Sequence, residues 1–469
     1  MKQPARPAFA CSLLSPRTAR EWAVWILEQH RLSGRWLHDV WEPAWSANGC
    51  PSSDRALLHE LVTGVVRRRR TLQTVLAQAI DRPWSRLEPT LKTLLELGAY
   101  QLLLMERIPP HAAVHETVEL TRWLGRHRWA GLVNAVLRQV GSWRTEEYVE
   151  APAPNALPLT HRRWRRLTHD LFPQPDRQPV AYVSRAYSLP HELALRWTHH
   201  AGWPEVLAWA DACNTPPPIY FRVRTQQVTI DALLKLWAEH GIQARQVAGL
   251  PLLCVDSASG LETWPGYHEG WWVVQDRTAY LAGQRLSLQP GETVWDVCAA
   301  PGTKTTQLAD AVGSTGKVWA SDVDPRRLDK IQENVHRLQL TQVVVQQTPA
   351  DALTLPPDPC DAVLLDAPCS NTGVLARRPE ARWRFSTRQL RELAQRQLRL
   401  LLSASAAVRP GGRLLYATCS VEPEENELLI RQALPKLNGW QLLVEQTIPP
   451  GQQGDGGYHA LLVSTASAW

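Results

Sequence analysis

Between residues 54 and 140 the apolar positions recur three and four apart. Leu57, Leu58, Leu61, Val62, Val65 and Val66 set the rhythm in the first segment, which runs into four consecutive arginines at 67–70. That spacing gathers the apolar side chains on one face of a helix. Residues 86–107 repeat the pattern until Ile108-Pro109-Pro110 stops it, because proline offers no N–H to carry a helix on. Two further helical patterns follow at 114–124 and 129–140, so residues 17–145 read as an all-α domain. Residues 146–180 are rich in proline and arginine and read as a linker with room for one short helix. The pattern is then mixed over 181–268. Helices are expected near 190–200 and 229–240, and strands at 219–223 and 252–255, which makes a small α+β subdomain.

From 269 to 469 the period alternates. Short β-branched runs at 293–297, 317–323, 343–346, 362–366 and 413–418 predict strands. Segments at 305–312, 325–338 and 387–408 predict helices, and 459–464 predicts a late edge strand. Strands and helices in alternation at this spacing predict an open, doubly wound, mostly parallel α/β sheet of the Rossmann-like kind. No repeat of fixed period is present.

Composition sharpens this picture only slightly. A chain of 469 residues is long enough for two to four domains. The net charge of +6 permits a polyanionic partner without demanding one. The first twenty residues lack the apolar core of a signal peptide, and no window reaches the roughly 18 apolar residues of a membrane span. A cytoplasmic protein with no membrane partner is expected, a monomer. The eight cysteines include no C-x-x-C pair, so no metal site is expected and the thiols should be free. The 22 tryptophans could stack on bases, but nothing in the pattern says which.

Candidate chemistry gathers at the predicted strand ends, where open α/β sheets bind ligands. Asp296-Val-Cys-Ala-Ala-Pro-Gly-Thr-Lys304 follows the first strand and opens a helix, so Cys298, Ala299, Ala300, Pro301, Gly302, Thr303 and Lys304 can bring backbone N–H groups to a ligand. Asp322 ends the second strand, where a carboxylate suits ribose hydroxyls. Asp351 follows the third and could accept from an exocyclic amine. The turn lacks G-x-G-x-x-G, which weakens a nicotinamide reading. An adenosine-type cofactor without phosphates fits, and S-adenosylmethionine is the natural candidate. The competing reading of such carboxylates is helix capping, as at Asp324 before Pro325.

Two motifs place a cysteine before a serine just past a strand: Asp366-Ala-Pro-Cys-Ser370 and Tyr416-Ala-Thr-Cys-Ser420. Attack of a thiolate on carbon 6 of a cytosine makes carbon 5 nucleophilic, able to take a methyl group from a sulfonium; the carbon-5 proton and the thiol then leave. That chemistry needs an exposed low-pKa cysteine and an acid near ring nitrogen 3. Asp366 could face the base as a protonated carboxyl, and Lys304 is a second candidate for contact with base or ribose. A buried structural thiol is the ordinary alternative for each cysteine, and packing is expected of Cys298 and Cys360.

Three ordered motifs carry a resemblance. Residues 296–305, 365–383 and 416–427 are similar to the RNA cytosine-C5 methyltransferases of the Sun/Nol1/Nop2 group. The stretch from Leu97 through 107–120 to 132–140 resembles NusB. The combination resembles the bacterial Sun/Fmu-type (RsmB-like) enzymes that methylate 16S ribosomal RNA. The resemblance implies NusB-like RNA-binding helices, a small linking subdomain and a Rossmann-like methyltransferase domain. It implies that residues 298–304, Asp322, Asp351 and Asp366 line an S-adenosylmethionine site, that Cys419 attacks cytosine, and that Cys369 assists product release. Two departures stand out: Thr303 where the family commonly has glycine, and Asn371 where it commonly has glycine or alanine.

For RNA contact, Arg377 and Arg378 are the leading candidates, beside clusters at 67–70 and 162–166. The target base must leave any stack to reach a thiol, so naked or immature 16S rRNA is the expected substrate. The same chemistry on transfer RNA or another ribosomal cytosine, a DNA cytosine methyltransferase, and a catalytically silent RNA-binding assembly factor are the alternatives. The paired Thr-Cys-Ser argues against the DNA enzyme, and the presence of both cysteines, Asp366 and Lys304 argues against a silent site.

Overall fold

The computed structural model describes residues 15–46, 49–349, 353–451 and 453–465. It divides into two compact units: residues 1–215 with the tripeptide 382–384, and residues 216–381 with 385–469.

The first unit begins with the helices α1 (Ala19–Ser33), single-turn α2 (Leu37–Val40) and α3 (Glu42–Trp45), then α4 (Arg55–Gln78), α5 (Pro89–Leu104), α6 (Pro110–Trp123) and α7 (Ala130–Ser142). A capping box fastens the start of α1, with Thr18 accepting from the Glu21 N–H and Glu21 reaching back to the Thr18 N–H. The apolar stripe read in the sequence is the buried one, with Leu58, Leu61, Val62, Val65 and Val66 all in the core.

The proline- and arginine-rich segment is not a linker. It folds into β1 (Arg144–Val149), β2 (Ala156–Pro158) and β3 (Trp164–Leu167), an antiparallel sheet in the order β1-β3-β2. Arg165 in its middle strand is fully buried and binds Glu106, Tyr148 and the Leu103 carbonyl. The linker reading takes the segment's arginines as solvated, yet one of them, Arg165, is enclosed and binds across the sheet. The helices α8 (Pro179–Ala186), α9 (His191–His200) and α10 (Trp203–Ala212) complete this unit. The expected subdomain 181–268 therefore does not stand as one piece: its helical first part belongs here, and its strands belong to the second unit.

The second unit opens with a four-stranded antiparallel sheet, β5-β6-β4-β7, made from β4 (Ile219–Val223), β5 (Arg245–Gln246), β6 (Leu252–Val255) and β7 (Trp272–Val274), with α11 (Ile230–Glu239) on it. Its core is aromatic: Trp237 and Trp272 meet Phe221 edge-on at 5.2 and 5.1 Å. The larger sheet follows α12 (Arg277–Gln284). It comprises β8 (Thr293–Asp296), α13 (Thr303–Val312), β9 (Lys317–Asp322), α14 (Pro325–Arg337), β10 (Val343–Gln347), β11 (Cys360–Asp366), α15 (Thr387–Ser405), β12 (Val408–Thr418), α16 (Glu427–Ala433), β13 (Trp440–Ile448) and β14 (Gly457–Ser464).

Seven strands lie in the order β10-β9-β8-β11-β12-β14-β13, the first five parallel and the last two antiparallel. This is a Rossmann-like sheet whose order reverses between β8 and β11, the crevice where such sheets bind ligands. The expected late edge strand, β14, is interior and largely buried. The edge on that side is β13, whose residues are all at least partly exposed.

The small sheet is riveted to α13. Arg222 and Arg224 both bind the Asp310 carboxylate, and Arg222 also donates to Thr306 at 3.0 Å. All three charged side chains are almost fully enclosed. Removing one partner of a buried ion cluster strands the others without water. Asp310→Ala is expected to lower stability by about 3–5 kcal/mol; urea unfolding checks this, and a loss below about 1 kcal/mol would contradict the buried geometry.

Candidate active site

The ligand side of the large sheet is built from three turns. After β8 the chain makes the turn 297–302, closed by the Ala299 carbonyl accepting from the Gly302 N–H at 2.7 Å. Gly302 has φ 99°, and a side chain there would press against Ile331. Helix α13 starts one residue later with Thr303, which enters the helix without disturbing this turn. Asp322 braces the turn from the next strand: it accepts from the Ala300 N–H at 3.2 Å and from the Asp324 N–H at 3.1 Å. Asp324 caps α14 as the sequence suggested. The Cys298 thiol is pushed up to about 12 by burial, which suits packing, not reactivity. Asp351 lies outside the described residues.

Asp296, at the tip of β8, is the buried acid that the sequence reading passed over. Its Oδ2 accepts from Thr305 at 2.7 Å, while its Oδ1 is enclosed with no hydrogen-bond partner among the described residues. Burial raises its pKa to about 7, the Thr305 bond opposes the rise, and Asp366 adds to it. Such an acceptor at a crevice waits for a donor, above all a cationic amine.

Lys304 and Asp366 straddle the switch point. The lysine, from the turn after β8, donates to the aspartate at the end of β11 at 2.6 Å. Burial works against the ammonium, yet Asp366 and then Cys419 raise its pKa, so the proton of the pair sits on Lys304. The two residues expected to contact the base, Lys304 and Asp366, thus face each other as an ion pair.

The strand register brings the two cysteines together. Asp366 lies beside Ala417, so the loops leaving β11 and β12 run out side by side. Two further bonds extend the ladder, Ala367 N–H to the Ala417 carbonyl at 2.8 Å and Gly373 N–H to the Cys419 carbonyl at 3.0 Å. The Cys369 and Cys419 sulfurs end 3.2 Å apart. Cys369 is buried, and its pKa stands well above the ordinary thiol value, through the hydrogen bond with Cys419 first and burial second.

The serines that follow each cysteine have a different task. Ser370 and Ser420 meet at 3.1 Å, and Ser370 donates both its N–H and its hydroxyl to Glu425. Gln397 of α15 binds the same carboxylate at 2.9 Å and the Pro368 carbonyl at 2.8 Å. Thr418 and Asn426 pair at 2.7 Å beneath. Glu425 is fully buried; burial raises its pKa and the Ser370, Ser420 and Gln397 bonds draw it back. Gln397, Glu425 and Asn426 were not singled out from the sequence, although Glu425 and Asn426 follow the second cysteine by six and seven residues.

Arg377 is not available to a polyanion as expected. Its guanidinium binds Asp455 at 2.7 Å, Asp276 at 2.8 Å and the Pro218 carbonyl. Arg378 is exposed and touches only Asn371, at 3.5 Å, among the bonds described. In the first unit, Arg68 is buried on the Leu159 carbonyl, and Trp383 donates to the Val66 carbonyl.

Comparison with known proteins places the chain. A family model described as 16S rRNA methyltransferase RsmB/F matches residues 283–462, and the NusB family model matches 17–142. The chain is 34% identical over 455 residues to ribosomal RNA small subunit methyltransferase B of Cronobacter sakazakii, covering 95% of this chain and 98% of that protein. The chain belongs to this methyltransferase family. The enzyme of the same name from Erwinia tasmaniensis is 35% identical over 454 residues, covering 94% and 97%. The crystal structure of PH0851 shares the fold, with TM-score 0.72 at 23% identity over 96% of this chain and 99% of that one. The helical first unit thus carries the NusB-like domain and the seven-stranded sheet the methyltransferase domain. No helix among the described residues is long and apolar enough to cross a membrane.

The Asp296 carboxyl has a pKa near 7 when folded and near 4 when unfolded, so the folded chain holds its proton more tightly. Its contribution is complete below about pH 4 and is lost as pH rises through about 7. Asp296→Asn should flatten that fall by a few kcal/mol in the ligand-free protein. Denaturant unfolding at both ends of the range decides it, and identical slopes for the two proteins would refute the assignment.

Proposed function

We propose that this chain uses S-adenosylmethionine to methylate carbon 5 of a cytosine in small-subunit ribosomal RNA, through a covalent bond between Cys419 and carbon 6 of the base. The observation that carries the reading is the pair of sulfurs 3.2 Å apart beside the Lys304–Asp366 pair, at the switch point of a methyltransferase sheet. Relatives at 34–35% identity named ribosomal RNA small subunit methyltransferase B support the substrate class.

The residues fit the cofactor. The unpartnered Oδ1 of Asp296 offers an acceptor for its amine, the 298–304 turn offers backbone groups, and Asp322 and Asp351 are the candidates for its nucleoside. The cofactor supplies an electrophilic methyl group on a sulfonium. The protein must then make carbon 5 electron-rich. In this reading the Cys419 thiolate adds to carbon 6, and the charge developing on the ring is met by the proton that Lys304 and Asp366 hold between them. After transfer, loss of the carbon-5 proton and expulsion of Cys419 restore the aromatic ring. Cys369, against the departing sulfur and holding its own proton firmly, is placed to donate to it.

We assign Arg378, not Arg377, to RNA contact, because Arg377 already neutralises two carboxylates. A base must be flipped or unpaired to reach Cys419, so naked or immature rRNA is the substrate we propose, acted on by a monomer. The functional parts are residues 17–145, the NusB-like domain, and 269–469, the methyltransferase domain.

Cys419→Ala should abolish methyl transfer, a loss of at least about 10³-fold. Cys369→Ala should still transfer methyl but accumulate a protein–RNA adduct that survives denaturing electrophoresis. An adduct retained in Cys419→Ala would reverse the two roles. Bisulfite mapping of RNA from cells with and without the protein identifies the cytosine; loss confined to transfer RNA would overturn the substrate.

A further inference from the structure

Among the described residues, Asn371 touches both cysteine loops through a single amide. It sits at φ 62°, ψ 25°, the left-handed region where asparagine is tolerated and glycine is at ease. Its Nδ2 donates to the Cys369 carbonyl at 2.8 Å. Its Oδ1 accepts from the Cys419 thiol at 3.3 Å and lies 3.5 Å from the Arg378 guanidinium.

These bonds are not needed to join the loops. Gly373 N–H to the Cys419 carbonyl, Val421 N–H to Thr372, and the Ser370–Glu425–Ser420 cluster already do that. What the amide adds is a direction. A thiol has one proton, and if Cys419 gives its own to Asn371, the hydrogen bond between the sulfurs must be donated by Cys369. The Cys419 sulfur then carries an incoming S–H bond, the arrangement that stabilises a thiolate at Cys419 once its proton leaves.

We propose that Asn371 is a positioning residue that holds the Cys419 proton, so that the thiol pair rests with Cys369 donating to the Cys419 sulfur and Cys419 kept as a thiol until its proton is drawn off. Its meaning for catalysis rests on the function proposed above, but the geometry can be tested without RNA or cofactor. The charged and titratable groups facing Cys419 are Cys369, Lys304 and Arg378, with Glu425 behind Cys369.

The test is the pH dependence of iodoacetamide alkylation at Cys419, followed by peptide mass spectrometry, in the full-length protein. Asn371→Gly keeps the backbone conformation and deletes the acceptor. Its half-alkylation pH should move down by about half a unit or more. Asn371→Asp keeps an acceptor and adds a negative charge, and should move the midpoint up by about half a unit or more. The preference for Cys419 over Cys369 should not fall in the glycine variant, since the more readily formed thiolate is the more reactive. Both midpoints unmoved, or both moving the same way, would overturn the proposal, since a merely structural asparagine has no reason to give opposite signs. Should the aspartate variant fail to fold, Arg378→Gln replaces it: this exposed change removes a cation from the same oxygen and should also raise the midpoint. An unmoved midpoint in both the glycine and glutamine variants is the corresponding refutation. Failure of methyl transfer with opposite midpoint shifts intact would count against the proposed function and leave the role of Asn371 standing.

Discussion

The buried carboxylate of Glu425 is the constraint on which the rest of the site depends. A carboxylate with no exposure is tolerated only when its oxygens are satisfied. Here they are satisfied by Ser370, Ser420 and Gln397, that is, by both cysteine loops and by α15. The acid and the loops therefore hold one another. With the loops fixed, the cysteines preceding the two serines have little freedom, and their sulfurs come to 3.2 Å. The repeated Cys-Ser pair thus divides its labour: the serines fasten the loops, and in the proposed function the cysteines carry the chemistry.

The chain is basic, yet much of its arginine faces inward. Arg222, Arg224 and Arg377 meet largely enclosed carboxylates, Arg165 is itself enclosed beside a half-exposed Glu106, and Arg68 meets a carbonyl. A guanidinium carries five N–H donors in a planar fork, so it can tie several distant backbone segments at once. Net charge consequently overstates the surface available to a polyanion. The exposed arginine adjoining the cysteine loops, Arg378, gains significance because its neighbour Arg377 is consumed internally.

The two halves of the proposed reaction meet at one salt bridge. On the turn after β8, Asp296 and the 298–304 backbone face the cofactor side. On the loops after β11 and β12, the thiols face the base. Lys304 and Asp366 join these sides across the point where the strand order reverses. A sheet that reverses there opens a crevice between two crossover connections, which is why residues 62 positions apart share a proton.

Periodicity alone determined the helical first domain, the five parallel strands and the helices between them, because the 3.6- and 2-residue patterns of burial are written locally. Motif spacing likewise marked the turn after β8, Lys304, Asp366 and both cysteines, which the fold brings to one end of the sheet. What remained hidden depends on neighbours distant in sequence. The strands at 144–167 were masked by arginines whose partners are distant acceptors such as Glu106 and the Leu103 carbonyl. The interior position of β14 follows from pairing with β13, whose residues are all at least partly exposed. Glu425, Gln397 and Asp296 look like ordinary polar residues until the fold encloses them. Only the tertiary structure decided which arginines are free, which acid is orphaned and which proton each thiol shares, because those are properties of the space between elements and of the water excluded from it.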